Sequence, residues 1–98
     1  MLVVKKKKSF DKNFKGDFNI KNKLITRKKE NSLEFIYTGL QIIKPEVFSN
    51  FEKGSFSINK VWNQLIEKNE LYGSESNINF FHISTLDIYK ALIEKKII

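Results

Sequence analysis

The chain has 98 residues, with 18 Lys+Arg against 11 Asp+Glu, a formal charge of +7, one histidine and no cysteine. That length supports one core and not two domains, and 41% hydrophobic residues place it among globular sequences and not among basic disordered tails. The absence of cysteine excludes disulfide scaffolds, thiol catalysis and cysteine-based zinc or iron–sulfur sites.

Leu2-Val3-Val4 is apolar and β-branched and opens the chain as an internal strand would, which predicts sheet neighbours on both sides and points to a partner segment outside these residues. Four lysines, Lys5 to Lys8, follow and read as a solvated strand end, with a polyanion-binding patch as the alternative. Residues 10–16 read as a loop broken at Asn13 and Gly16. Asp17 to Ile20 alternates polar and apolar, Lys21-Asn22-Lys23 can turn with Asn22 left-handed, and Leu24-Ile25-Thr26 returns as the second arm of a hairpin.

Beyond a polar linker at residues 28–32, Glu34 to Ile43 is apolar on both faces and predicts a strand covered above and below. Gly39 in its middle marks either a bulge or a close backbone approach. Pro45 suits the first turn of a short helix running to Phe51. Ser57 then caps an amphipathic helix with Ile58, Val61, Trp62, Leu65 and Ile66 on its apolar face. Leu71–Gly73 and Ile78–Ile83 read as short strands around a turn at Ser74–Asn77. Ser84 or Thr85 caps the last helix, with Asp87 in its first turn and Lys95 and Lys96 near its end. The expected architecture is therefore α/β: a partial mixed sheet with a β-hairpin and two to three helices, forming one partial domain with a basic region over 1–33 and a strand–helix region over 34–98. No signal peptide or membrane span is predicted, and the cytoplasm is the default location.

The positive charge is unevenly placed. Residues 1–30 hold 11 cations and 3 acids, whereas residues 31–98 hold 7 cations and 8 acids, and Arg27 is the single arginine. Phe10, Phe14 and Phe18 interleave with these lysines, which is the composition of a small module binding RNA or single-stranded DNA. A lysine-rich surface over core phenylalanines accounts for the same residues, and the scarcity of Arg favours it over nucleic acid. His82, Ser84, Thr85 and Asp87 hold the residue types of a nucleophile triad, but a helix cap and a first-turn acid explain them without chemistry. The four glycines, Gly16, Gly39, Gly54 and Gly73, are isolated, so no self-sufficient phosphate cradle is present in these 98 residues.

The run Glu34-Phe35-Ile36-Tyr37-Thr38-Gly39-Leu40-Gln41-Ile42-Ile43-Lys44-Pro45-Glu46-Val47-Phe48 resembles a strand-plus-helix of sugar-1-phosphate nucleotidyltransferases, among them the mannose-1-phosphate guanylyltransferase and N-acetylmuramate-1-phosphate uridylyltransferase types. Gly54 to Trp62, Leu71-Tyr72-Gly73 and Phe80 to Asp87 look like later segments of that family in the same order, and Gly16-Asp17-Phe18 with the hairpin looks like an earlier one. The resemblance implies the C-terminal, sugar-side portion of a Rossmann-like nucleotidyltransferase fold, acting on NTP and a sugar 1-phosphate with Mg²⁺. It places Thr38 and Gly39 near the sugar phosphate, and it implies inactivity for this portion alone, because the glycine-rich nucleotide-binding signature has no counterpart here. His82 stands where many relatives carry a metal-binding Asp, and a neutral imidazole is a poor Mg²⁺ ligand; Ser84 replaces their usual Gly. Completion by an N-terminal half, by a second chain or by self-association through an open sheet edge is the partner expectation.

Overall fold

The computed structural model describes residues 1–13, 15–28 and 32–97. The described residues form five strands in two small sheets and two α-helices: β1 (Leu2–Lys5), β2 (Asn19–Lys21), β3 (Leu24–Thr26), β4 (Phe35–Tyr37), α1 (Ile58–Glu67), β5 (Ser74–Glu75) and α2 (Leu86–Glu94). This is a mixed α/β arrangement. Two 3₁₀ turns, Lys6–Lys8 and Pro45–Phe48, complete the regular structure of the described residues.

β1 is the central strand, antiparallel to β4 through Val3–Tyr37 and Lys5–Phe35 and parallel to β5 through Leu2–Ser74. Residues 2–4 do form an internal strand, but both of its neighbours come from this chain and not from a partner segment outside it. Val3 and Val4 point to opposite faces, as alternation requires, and both are buried along with Ile36, so the sheet centre is covered on each side. On one face Val3, Phe18, Ile25, Val61, Trp62, Leu65 and Leu71 form the core.

The hairpin occurs as predicted. β2 and β3 pair antiparallel from Asn19–Thr26 to Lys21–Leu24. Asn22 and Lys23 both take positive φ, 52° and 66°, which gives the turn the twist that a two-residue hairpin needs. Ser57 caps α1 by accepting from the Asn59 N–H, and Thr85, not Ser84, caps α2 by accepting from the Ile88 N–H. Each such cap contributes about 1 kcal/mol.

Three expectations need correction. The predicted strand over Glu34–Ile43 is regular only at Phe35–Tyr37, and Leu40 and Ile42 are 61% and 96% exposed. The backbone diverts at Gly39, whose φ is +97°, and an apolar pattern on two faces does not itself supply a second covering layer. Leu71–Gly73 pairs only through a single antiparallel bridge from Tyr72 to Leu24, the strand next to β1 falls at Ser74–Glu75, the residues read as a turn, and Ile78–Ile83 contributes a single parallel bridge from Phe80 to Ser9. The reason is long-range: residues 71–73 are taken by the hairpin, through Ile25 N–H to Leu71 C=O and Gly73 N–H to Lys23 C=O. The segment after Pro45 is one 3₁₀ turn ending at Phe48 and not a helix to Phe51.

Candidate functional site

The resemblance directs attention to the end of β4. Leu2 C=O accepts from both the Thr38 N–H, at 3.2 Å, and the Thr38 hydroxyl, at 2.9 Å, while Leu2 N–H donates to Leu40 C=O at 2.9 Å. Gly39 is thereby looped out between two ladder bonds, the bulge that the sequence allowed. A Cβ placed on Gly39 would meet nothing within 4 Å, so the glycine serves its left-handed backbone and not a tight contact with this chain. Its N–H has no acceptor among the described residues. Gln41, two residues on, accepts from Trp62 Nε1 at 2.9 Å and fixes the loop to α1.

The chain that follows this loop, from Ile42 to Val47, borders a hollow of about 520 Å³ that Leu65, Leu71 and Tyr72 also line, with Lys44 and Glu70 as its charged side chains. Its position between the chain after β4 and the chain after α1 unites two segments that the resemblance matched separately.

The polar groups beneath the loop are structural. Asp17 Oδ2 accepts from Tyr37 N–H at 3.0 Å and so stands in for a neighbouring strand at the edge of β4. Arg27 lies 4.8 Å over the Phe18 ring and donates to Asn59 Oδ1 and Asn63 Oδ1, each at 2.8 Å, joining β3's end to α1. Desolvation lowers the Arg27 pKa, partly offset by the Asp17 charge, and burial raises that of Tyr37.

His82, Ser84, Thr85 and Asp87 all lie exposed along the approach to α2, and Thr85 Oγ1 is committed to the Ile88 N–H. That bond is the ordinary capping role of a hydroxyl at a helix N-terminus. No group of three or more His, Asp or Glu side chains converges among the described residues, and the exposed His82 imidazole is a poor partner for Mg²⁺. The described residues therefore present no cluster fitted to Mg²⁺.

Of the phenylalanines expected to stack on nucleic acid, Phe18 is fully buried against Trp62 and Phe14 lies outside the described residues. The Arg27 fork and the Gln41–Trp62 bond were not visible in the sequence, since each joins positions more than twenty residues apart and neither has a spacing signature. No helix among the described residues is long and apolar enough to cross a membrane. No family model matches the chain, and no curated protein or solved structure shows significant similarity to it.

Proposed function

We propose that this chain forms the sugar-side portion of a sugar-1-phosphate nucleotidyltransferase with a Rossmann-like fold, in which Thr38 and Gly39 lie at the sugar phosphate. In such a reaction an oxygen of the sugar phosphate attacks the α-phosphorus of an NTP and diphosphate departs. The observation that carries the reading is the Gly39 loop: a positive-φ glycine beyond the edge strand β4, with its N–H unclaimed by the described residues and open space where a side chain would stand. Backbone N–H groups in such turns are suited to phosphate oxygens. Thr38, by contrast, uses its hydroxyl to hold the loop onto Leu2, which makes it a positioning residue.

The molecular surface supports incompleteness. The accessible area is 7527 Å², whereas a compact monomer of this mass exposes roughly 5,800 Å². The radius of gyration is 15.4 Å, against about 13 Å for a compact domain of 98 residues. An excess of that order matches the area one side of an extensive interface covers. The triphosphate side would come from a further polypeptide segment, because no glycine-rich phosphate loop occurs in this sequence.

The test is amide chemical-shift mapping of the ¹⁵N-labelled chain with a panel of sugar 1-phosphates at millimolar concentration. Perturbation centred on Thr38 to Gln41 is expected. No perturbation there, with any sugar of the panel, removes the assignment of the loop. The purified chain is expected to form no nucleotide-sugar from NTP and sugar 1-phosphate, and turnover by it alone would overturn the division of labour.

A further inference from the structure

The lysines that the sequence spreads over its first third are gathered by the fold with one from the far end of the chain. Phe80 N–H donates to Lys8 C=O and Phe10 N–H donates to Phe80 C=O, both at 2.8 Å, so that residues 8–10 and 80 run side by side. This brings the Phe10 and Phe81 rings to 5.7 Å, inclined at 36°. From the end of α2, Lys95 Nζ lies 5.1 Å from the Phe10 ring centre. Between them is a groove of about 490 Å³ bordered by Lys7, Lys8, Lys12 and Lys95, with Phe10 and Phe81 as its aromatic wall.

Among the described residues, no acidic side chain borders this groove. The two ion pairs of the described residues, Lys5–Glu75 and Lys6–Glu34, use the neighbouring lysines, and these four have no carboxylate partner among the described residues. Lys12 Nζ donates one bond, to Lys7 C=O at 3.0 Å, and keeps its remaining protons for another acceptor. Asp11, the adjacent acid in sequence, accepts from the Asn13 N–H. Four ammonium groups around a partly exposed aromatic pair combine phosphate attraction with a stacking face, the two elements by which single strands are bound without sequence preference. Lysine serves here as a point charge, and the lack of arginine at the groove matches backbone contact in place of base readout.

We propose that this groove binds single-stranded nucleic acid, one or two nucleotides at a time, with a base on Phe81 and the flanking phosphates on Lys7, Lys8, Lys12 and Lys95. The site is separate from the Gly39 loop, and neither reading depends on the other.

Fluorescence anisotropy of a labelled twelve-nucleotide oligothymidylate, titrated with the full chain between 20 and 150 mM KCl, tests it. Each phosphate neutralised on a single strand contributes about 0.7 to the log–log salt slope, so a slope of roughly −2 to −3 is expected. The double variant Lys12→Glu/Lys95→Glu should lower affinity at least about tenfold and flatten that slope by about 1.4. Phe81→Ala should weaken binding about tenfold with the slope unchanged. All three side chains are exposed, and an unaltered circular dichroism melt keeps the comparison clean. Absence of binding at 20 mM KCl overturns the proposal, as does binding indifferent to the lysine variant. Displacement of the oligonucleotide by polyglutamate at equal charge would instead identify an acidic-peptide surface, and equal competition by free TMP a mononucleotide pocket; either result also overturns it.

Discussion

Trp62 donates its indole N–H to Gln41 Oε1 at 2.9 Å, so the largest side chain of α1 is bonded to the loop that follows Gly39. The indole also meets Phe18 and Tyr37 edge-on, at 5.4 and 5.1 Å between ring centres. Gln41→Ala leaves a largely buried N–H without its acceptor. We expect a loss of about 1 kcal/mol in urea unfolding, together with a shift in Trp62 emission. A neutral substitution with unchanged emission would show that water replaces Gln41 at no cost.

Arg27 reaches two asparagines one turn apart on α1 while lying over Phe18. A lysine keeps the charge but cannot address both carbonyls in the plane of a fork. Arg27→Lys is expected to lose about 1 kcal/mol, most of what Arg27→Ala loses. Equal stability of Arg27→Lys and the parent chain would reduce the contact to simple electrostatics.

Gly16 and Gly39 should both resist replacement by alanine, for different reasons. A Cβ on Gly16 would collide with the Leu33 backbone carbonyl, which requires chain movement and costs about 2–3 kcal/mol. Gly39→Ala meets no atom but must hold φ near +97°, at roughly 1–2 kcal/mol. Urea midpoints at constant m-value should therefore order Gly16→Ala below Gly39→Ala, and the reverse order would contradict the contact at Leu33.

Burial raises the Tyr37 pKa above its ordinary 10.0. In the window between 10.0 and that raised value, the folded state keeps a proton that the unfolded state has released. The contribution of this group is then fully present below pH 10 and is lost as pH rises through the folded pKa. Tyr37→Phe should flatten the alkaline loss of stability, and ultraviolet titration should show a late tyrosine ionisation that this substitution removes. An ultraviolet titration whose late phase survives in Tyr37→Phe would remove the effect.

The local elements were legible because local rules set them. The hairpin turn at Asn22, the Ser57 cap and the Val61–Trp62–Leu65 face are each stated by residues within one or two turns of one another. The centrality of Val3 was legible from its β-branched, apolar setting. What the sequence misplaced was decided by distant partners. Ser74 and Glu75 look like turn residues, yet Ser74 N–H and Ser76 N–H bond to Met1 and Val3 carbonyls, and no side-chain pattern announces a backbone ladder. Glu34–Ile43 misled in the opposite sense: its two apolar faces imply double burial, while Ile42 is almost wholly exposed in this chain. For the candidate loop, Gly39 was identifiable as a bulge from its residue type, but the Thr38 hydroxyl bond to Leu2 depends on β1 lying alongside. The basic groove shares that character, since Lys95 reaches Phe10 only after the two ends of the chain have met.

The placement of β1 between β4 and β5 sets the order in which the molecule can assemble. Its hydrogen bonds to residues 74–76 close a loop of about seventy residues, whereas β2 and β3 meet across a two-residue turn. A hairpin of that kind closes in microseconds, and contacts between distant segments come later because their chain entropy must be lost first. Pulse-labelled amide exchange during refolding should protect Ile20 and Ile25 before Ser74 and Ser76. The parallel edge is then the last part of the sheet to form and the first to open, and the residues beside it, Tyr72 and Ile42, are those whose exposure responds most directly to that opening.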